Sequence, residues 1–199
     1  MRRALWLVLL TLILPIAAFG SSIDFTNSGG TLVGTNAGLS LTGSVLIAVK
    51  GLDGGGLITG DDLGTVEFST GALISGSLKY GGIFAAGGSF TITGNGTNGI
   101  PDGIIFTGSF SEPVTWTLVT LPDGTHNYTL TGAISGSMSD GTGAQGVTVQ
   151  LTVNSGKNYF WSCQISSGDT NLVVPEPGTL GLLGTGLVGV AGLLRRRRG

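Results

Sequence analysis

The sequence predicts an all-β protein, an antiparallel meander forming a sandwich or partly open barrel, flanked by an N-terminal signal peptide and a C-terminal single transmembrane helix. Three observations lead there. From Ser21 to Val174 apolar residues recur with period two, and no helical period is sustained. Asp-Gly and Asn-Gly pairs fall between these runs, where the chain needs residues that tolerate tight turns. All six arginines lie at the two apolar ends.

The strands come first. In "LGTVEFS" Val66 and Phe68 point one way while Thr65, Glu67 and Ser69 point the other. In "EPVTWTLV" Val114, Trp116 and Leu118 alternate with Thr115 and Thr117. "GVTVQLTV" places Val147, Val149, Leu151 and Val153 on one face, opposite Thr148, Gln150 and Thr152. One apolar and one polar face is the pattern of antiparallel strands packed on one side. Turn pairs separate the runs: Asp53-Gly54, Asn95-Gly96, Asn98-Gly99, Asp102-Gly103, Asp123-Gly124 and Asp140-Gly141. The clearest hairpin joins Val114 to Leu121 with Thr125 to Thr131 through Pro122-Asp123-Gly124. A weak echo links "TGALISGSLKY" (from Thr70) with "TGAISGSMSD" (from Thr131), and glycine inside a strand implies a bend or bulge used more than once. The spacing is too irregular for a solenoid, and about ten short strands are expected.

The ends define the domain organisation. Residues 1–20, "MRRALWLVLLTLILPIAAFG", have a basic start, an apolar run and a small-x-small ending, the pattern of a secretory signal peptide cleaved between Gly20 and Ser21. Residues 21–174 form an extracytoplasmic Gly/Thr/Ser-rich β-domain, and residues 175–199 a tail. In that tail, 178–194 hold no charge. At about 1.5 Å per residue they make about 26 Å of helix, near the lower limit for a membrane span. Arg195, Arg196, Arg197 and Arg198 then stay in the cytoplasm and leave the domain outside.

The charge balance of the β-domain excludes one class of function. Lys50, Lys79 and Lys157 stand against ten acids, a net charge of −7 that the whole-chain value of −2 conceals. Neutralising phosphates requires clustered Lys or Arg, so no nucleic-acid partner is expected.

Candidate chemistry is sparse, and no catalytic residue, metal site or cofactor is expected. His126 is the only histidine and lies beside a predicted turn, where it reads as a solvated hairpin residue. Cys163 is the only cysteine, so no intramolecular disulfide can form; beside Trp161 it reads as a small buried apolar residue. One histidine and one cysteine do not make a usual zinc ligand set. "GLDGGGLITGDDLG" lacks both the P-loop lysine and the acid spacing of an EF-hand. Four of the ten acids of the β-domain sit in Asp-Gly pairs, where turn formation explains them without catalysis, and the chain is expected not to be an enzyme. One binding surface is a candidate: Thr91 and Thr93, Thr115 and Thr117, and Thr129 and Thr131 each place two hydroxyls on one side of a strand, a possible face for glycan or ice. The plainer reading is that threonine forms solvated strands well.

The tail is more specific. Pro175-Glu176-Pro177, a short Gly-rich apolar run and four arginines follow one another in "VPEPGTLGLLGTGLVGVAGLLRRRRG". The two prolines keep the tripeptide extended. This arrangement resembles the PEP-CTERM sorting signal of Gram-negative bacteria. The resemblance implies that Pro175, Glu176 and Pro177 are recognised by an exosortase, a membrane-embedded transpeptidase. An inner-membrane precursor, held by a single and transient span with its N-terminus outside and its C-terminus cytoplasmic, then passes to the envelope, surface or exterior. Proteins with this tail are linked to exopolysaccharide and biofilm matrix, which makes exopolysaccharide a candidate partner. The same tail also occurs on proteins labelled as having an ice-binding protein C-terminal domain. The resemblance covers only the tail and carries no activity to the β-domain.

Overall fold

A computed structural model describes residues 21–174. The predicted signal peptide, the 178–194 span, the tripeptide and the arginines lie outside the described residues. Among those described, no helix is long and apolar enough to cross a membrane.

Residues Ser22–Val174 form a compact unit built almost wholly of antiparallel strands. They are β1 (Ser21–Ser28), β2 (Thr31–Thr35), β3 (Gly38–Lys50), β4 (Leu57–Thr59), β5 (Gly64–Ser69), β6 (Leu73–Ser77) and β7 (Gly81–Phe84). There follow β8 (Gly87–Asn95), β9 (Asp102–Phe110), β10 (Val114–Thr120), β11 (His126–Met138), β12 (Gly143–Asn154), β13 (Ser162–Gln164) and β14 (Ser167–Val174). Eight of them close a ring in the order β12-β14-β1-β3-β5-β8-β9-β11 and back to β12. The expected sandwich or partly open barrel is thus a closed barrel, with more strands than sequence spacing suggested. The closing seam is non-local. Side chains of β14 and β1 bridge it, with Thr26 donating to Asp169 at 2.9 Å and Asn171 donating to Ser22 at 3.0 Å and to Asp24.

Two long strands let the wall branch. β11 keeps β12 on one edge, while its other edge pairs first with β10 and then with β9. β3 divides one edge in the same way between β1 and β2. The β10 branch continues through β7 to β6, and β13 extends the sheet beside β2. Where β1 slips register, buried Asn27 donates to buried Ser44 at 2.6 Å, so the irregularity keeps its polar groups paired.

The alternations run as the sequence implies: Val66 and Phe68 are buried, as are Val114, Trp116, Leu151 and Val153. The β10–β11 hairpin has the expected turn. Leu121 N–H donates to Thr125 C=O at 2.8 Å, and Asp123 accepts from both the Thr125 amide and hydroxyl. The Asp140 turn between β11 and β12 repeats it, Met138 N–H donating to Thr142 C=O at 2.8 Å. In both turns hydrogen bonds from the threonine hold the aspartate pKa below its ordinary value.

The repeated segments are both irregular, at places one position apart in the echo. Pairing slips between Leu73 and Ser75 in β6, and between Ile134 and Gly136 in β11. Gly136 lies opposite Gly108, and a Cβ at Gly136 would overlap the Thr107 carbonyl and the end of the Phe106 ring. The bend therefore needs the glycine for close backbone approach.

Candidate functional site

The structure splits the six threonines. Thr115 registers with Thr131, and Thr117 with Thr129, across β10 and β11. The pairing continues from Thr129 to Thr152 and from Thr152 to Ser167. Thr115, Thr117, Thr129 and Thr131 thus make one patch, with neighbouring strands about 4.8 Å apart and alternate residues roughly 6.7 Å apart along each strand. Thr91 and Thr93 belong elsewhere. Thr91 registers with Thr107, and Thr107 with Ser137, six positions along β11 from Thr131 and so roughly 20 Å away. The single face expected from sequence is therefore two patches. The second holds a shallow groove of about 290 Å³, where Thr91 lies with Ser40, Thr42, Glu67, Ser69 and Ser89. Glu67 accepts there from the Gly43 N–H at 3.2 Å.

His126 is buried rather than solvated, 7 % exposed. Its ring lies 4.2 Å from that of Tyr159, and its Nδ1 finds no hydrogen-bond partner among the described residues. The sequence placed it correctly beside the turn but gave no sign that the loop after β12 covers it. Cys163 is half-buried against the core, and burial raises its thiol pKa. Asp62, in the glycine-rich segment, accepts from the Gly64 N–H at 3.0 Å and from the Asn95 amide at 3.2 Å. Among the described residues no three His, Cys, Asp or Glu side chains are grouped to hold a metal ion.

Sequence reasoning missed an aromatic end of the barrel. Trp116 and Tyr128 stack with centroids 4.9 Å apart, and Phe160 meets Trp116 edge-on at 4.9 Å. Their polar atoms tie down the flanking loops. Trp116 donates to the Leu78 carbonyl at 3.0 Å, Tyr128 donates to the Lys79 carbonyl at 2.8 Å, and the Phe160 amide donates to the Tyr128 hydroxyl at 3.1 Å. Burial raises the Tyr128 pKa above its ordinary value.

Above this buried layer lies an exposed one. Tyr80 and Tyr159 meet edge-on at 5.3 Å, and the Lys79 ammonium sits over both rings, 4.8 and 4.2 Å from their centroids. Hydrogen bonding to Tyr80 is the main cause of a Lys79 pKa above its ordinary value. Phe160 turns inward between Tyr159 and Trp161, which both face out, and Trp161 is 80 % exposed. One sequence signal was available: "KNYFWS" is the densest aromatic run of the β-domain.

Fold and surface together define a closed antiparallel barrel with a hydroxyl-rich wall and one aromatic end. The chain also carries a PEP-CTERM protein-sorting motif, matched at residues 173–198, which contains Pro175, Glu176, Pro177 and the four arginines. That motif points to an exported protein, processed at the membrane by an exosortase and delivered to the cell surface. No curated protein and no solved structure matches the chain.

Proposed function

We propose that the chain is a non-enzymatic cell-surface or extracellular-matrix protein, whose barrel is released from a temporary membrane anchor by an exosortase. The carrying observation is the position of the sorting motif. It begins at residue 173, where β14 ends, and Val174, the last strand residue, is buried. Cutting at or beyond Pro175-Glu176-Pro177 therefore leaves every ring strand whole. The non-enzymatic part of the reading is supported by Asp123 and Asp140, whose carboxylates are engaged within their own turns. The expected fate is a precursor anchored through 178–194, N-terminus outside, followed by release into an exopolysaccharide-containing envelope or matrix.

Expression with and without an exosortase tests this. In the competent host the tail is lost and the barrel leaves the membrane fraction; without the enzyme, or after Pro175→Ala with Glu176→Ala, the full-length chain stays there. Identical membrane-bound products in all cases would refute sorting.

A second reading makes the Thr115, Thr117, Thr129 and Thr131 patch a ligand face, supported by their register across two strands. Thr115 and Thr117 lie on the β10 branch and Thr129 and Thr131 on ring strand β11, and paired strands twist, so this wall is curved. A flexible polysaccharide follows such a wall better than a flat ice lattice does. Thr115→Arg with Thr117→Arg should abolish wall-mediated glycan retention; unchanged retention removes the wall as a binding face.

A further inference from the structure

We propose that the aromatic end is a second, separate binding site, a platform for an acidic polysaccharide chain. In it Trp161 and Tyr80 supply stacking faces, and Lys79 pairs with a sugar carboxylate. The proposal does not depend on whether the tail is processed.

Aromatic residues are sorted sharply in this chain. Every phenylalanine among the described residues is buried, at Phe25, Phe68, Phe84, Phe90, Phe106, Phe110 and Phe160. Every described tyrosine and tryptophan gathers at one end, through the contacts of Trp116, Tyr128, Tyr80 and Tyr159 and the adjoining Trp161. Three of these are left exposed: Trp161 at 80 %, Tyr80 at 63 % and Tyr159 at 41 %. Large exposed rings grouped together mark a binding surface more often than chance, whereas single exposed apolar residues need no explanation.

The platform is held in place before any ligand arrives. Tyr80 follows Lys79, whose carbonyl is fixed by Tyr128, and Tyr159 and Trp161 flank Phe160, whose amide bonds the same hydroxyl. Trp161 C=O further accepts from the Gly34 N–H of β2 at 3.4 Å. A backbone fixed beside each ring reduces the freedom to be lost on binding, which favours affinity.

The chemistry of the surroundings selects the occupant. A pyranose presents an apolar C–H face bordered by hydroxyls, which suits an aromatic plane with a polar rim. Around Trp161 and Tyr159 the loop supplies Ser155 and Asn158 and the start of β13 supplies Ser162, a rim too polar for insertion into lipid. Charge completes the selection. Two of the β-domain's three lysines, Lys79 and Lys157, lie on the segments that carry these rings, in a domain with a net charge of −7. Asp123 is on the neighbouring β10–β11 turn, its carboxylate bonded to Thr125. A carboxylated chain is therefore drawn to this end and repelled elsewhere.

The full chain in detergent is run by affinity electrophoresis in gels containing alginate, a uronic acid polymer, or dextran, a neutral glucan. Alginate should retard it more than dextran, and added salt should weaken the alginate effect. Trp161→Ala and Tyr80→Ala should each weaken alginate binding about tenfold, the scale of losing one ring-stacking contact. Lys79→Gln should abolish the preference for alginate, while Thr115→Arg with Thr117→Arg leaves it intact. Unchanged melting temperatures for Trp161→Ala and Lys79→Gln establish that the fold is kept. Equal retardation by both polymers, or alginate binding indifferent to Trp161 and Tyr80, would overturn the proposal. So would a Trp161-dependent dimer or vesicle association without polysaccharide binding.

Discussion

Two aromatic regions of the barrel are built on different chemistry. The first is a phenylalanine cluster inside the ring: Phe68 and Phe90 stack at 5.7 Å, and Phe110 meets both edge-on at 5.6 and 6.1 Å. It holds the wall together by burial and dispersion alone. The second, Trp116 with Tyr128 and Phe160, buries similar rings, but its indole and phenol also bind backbone atoms of two loops. The first region stabilises the fold; the second stabilises it and also positions exposed groups. Phenylalanine could replace neither polar handle.

The largest test compares one residue from each region. Trp116→Ala and Phe90→Ala each remove a fully buried ring and should cost about 3–5 kcal/mol, read from denaturant midpoints. That is a large part of the roughly 5–15 kcal/mol typical of a domain. The difference lies in local opening. Under native conditions, amide hydrogen exchange at Tyr80 and Phe160 should accelerate in Trp116→Ala beyond what its lower global stability explains, and in Phe90→Ala only to that extent. Equal local behaviour in the two variants would erase the distinction.

What the sequence made legible in these regions follows from range. Period-two alternation and Asp-Gly turns are local signals, so Val66, Phe68, the β10–β11 hairpin and the inward turn of Trp116 could be read directly. The echo around "ISGS" is also local, and both copies slip register within it, β11 beside Gly136 and β6 just before Ser75. Barrel closure is not local: β14 meets β1 through pairs such as Thr26 and Asp169, and no nearby pattern encodes that seam. The threonine surface failed as one face for the same reason. Each strand's pair was visible, but the branching of β11 between β9 and β10 decides which pairs become neighbours. His126 and the aromatic platform depend on a loop folding back over a hairpin. Tyr80 and Tyr159 therefore meet although 79 positions separate their numbers.

A smaller perturbation sharpens the comparison further, because it leaves every ring in place. Tyr128→Phe keeps the stack on Trp116 but deletes the oxygen that accepts from Phe160 and donates to Lys79. Two backbone groups lose their partner, which should cost about 1–3 kcal/mol, less than removing a whole side chain. If the phenol is chiefly a fastener for the platform, the Phe160 amide should exchange faster while amides beside Phe68 and Phe90 follow global stability. Alginate affinity should fall in the same variant although Trp161 and Tyr80 are intact, since their loops are no longer held in the binding arrangement. A Tyr128→Phe protein with lower stability but unaltered local exchange and affinity would show that the hydroxyl serves the core alone. The two aromatic regions would then differ in composition and not in role.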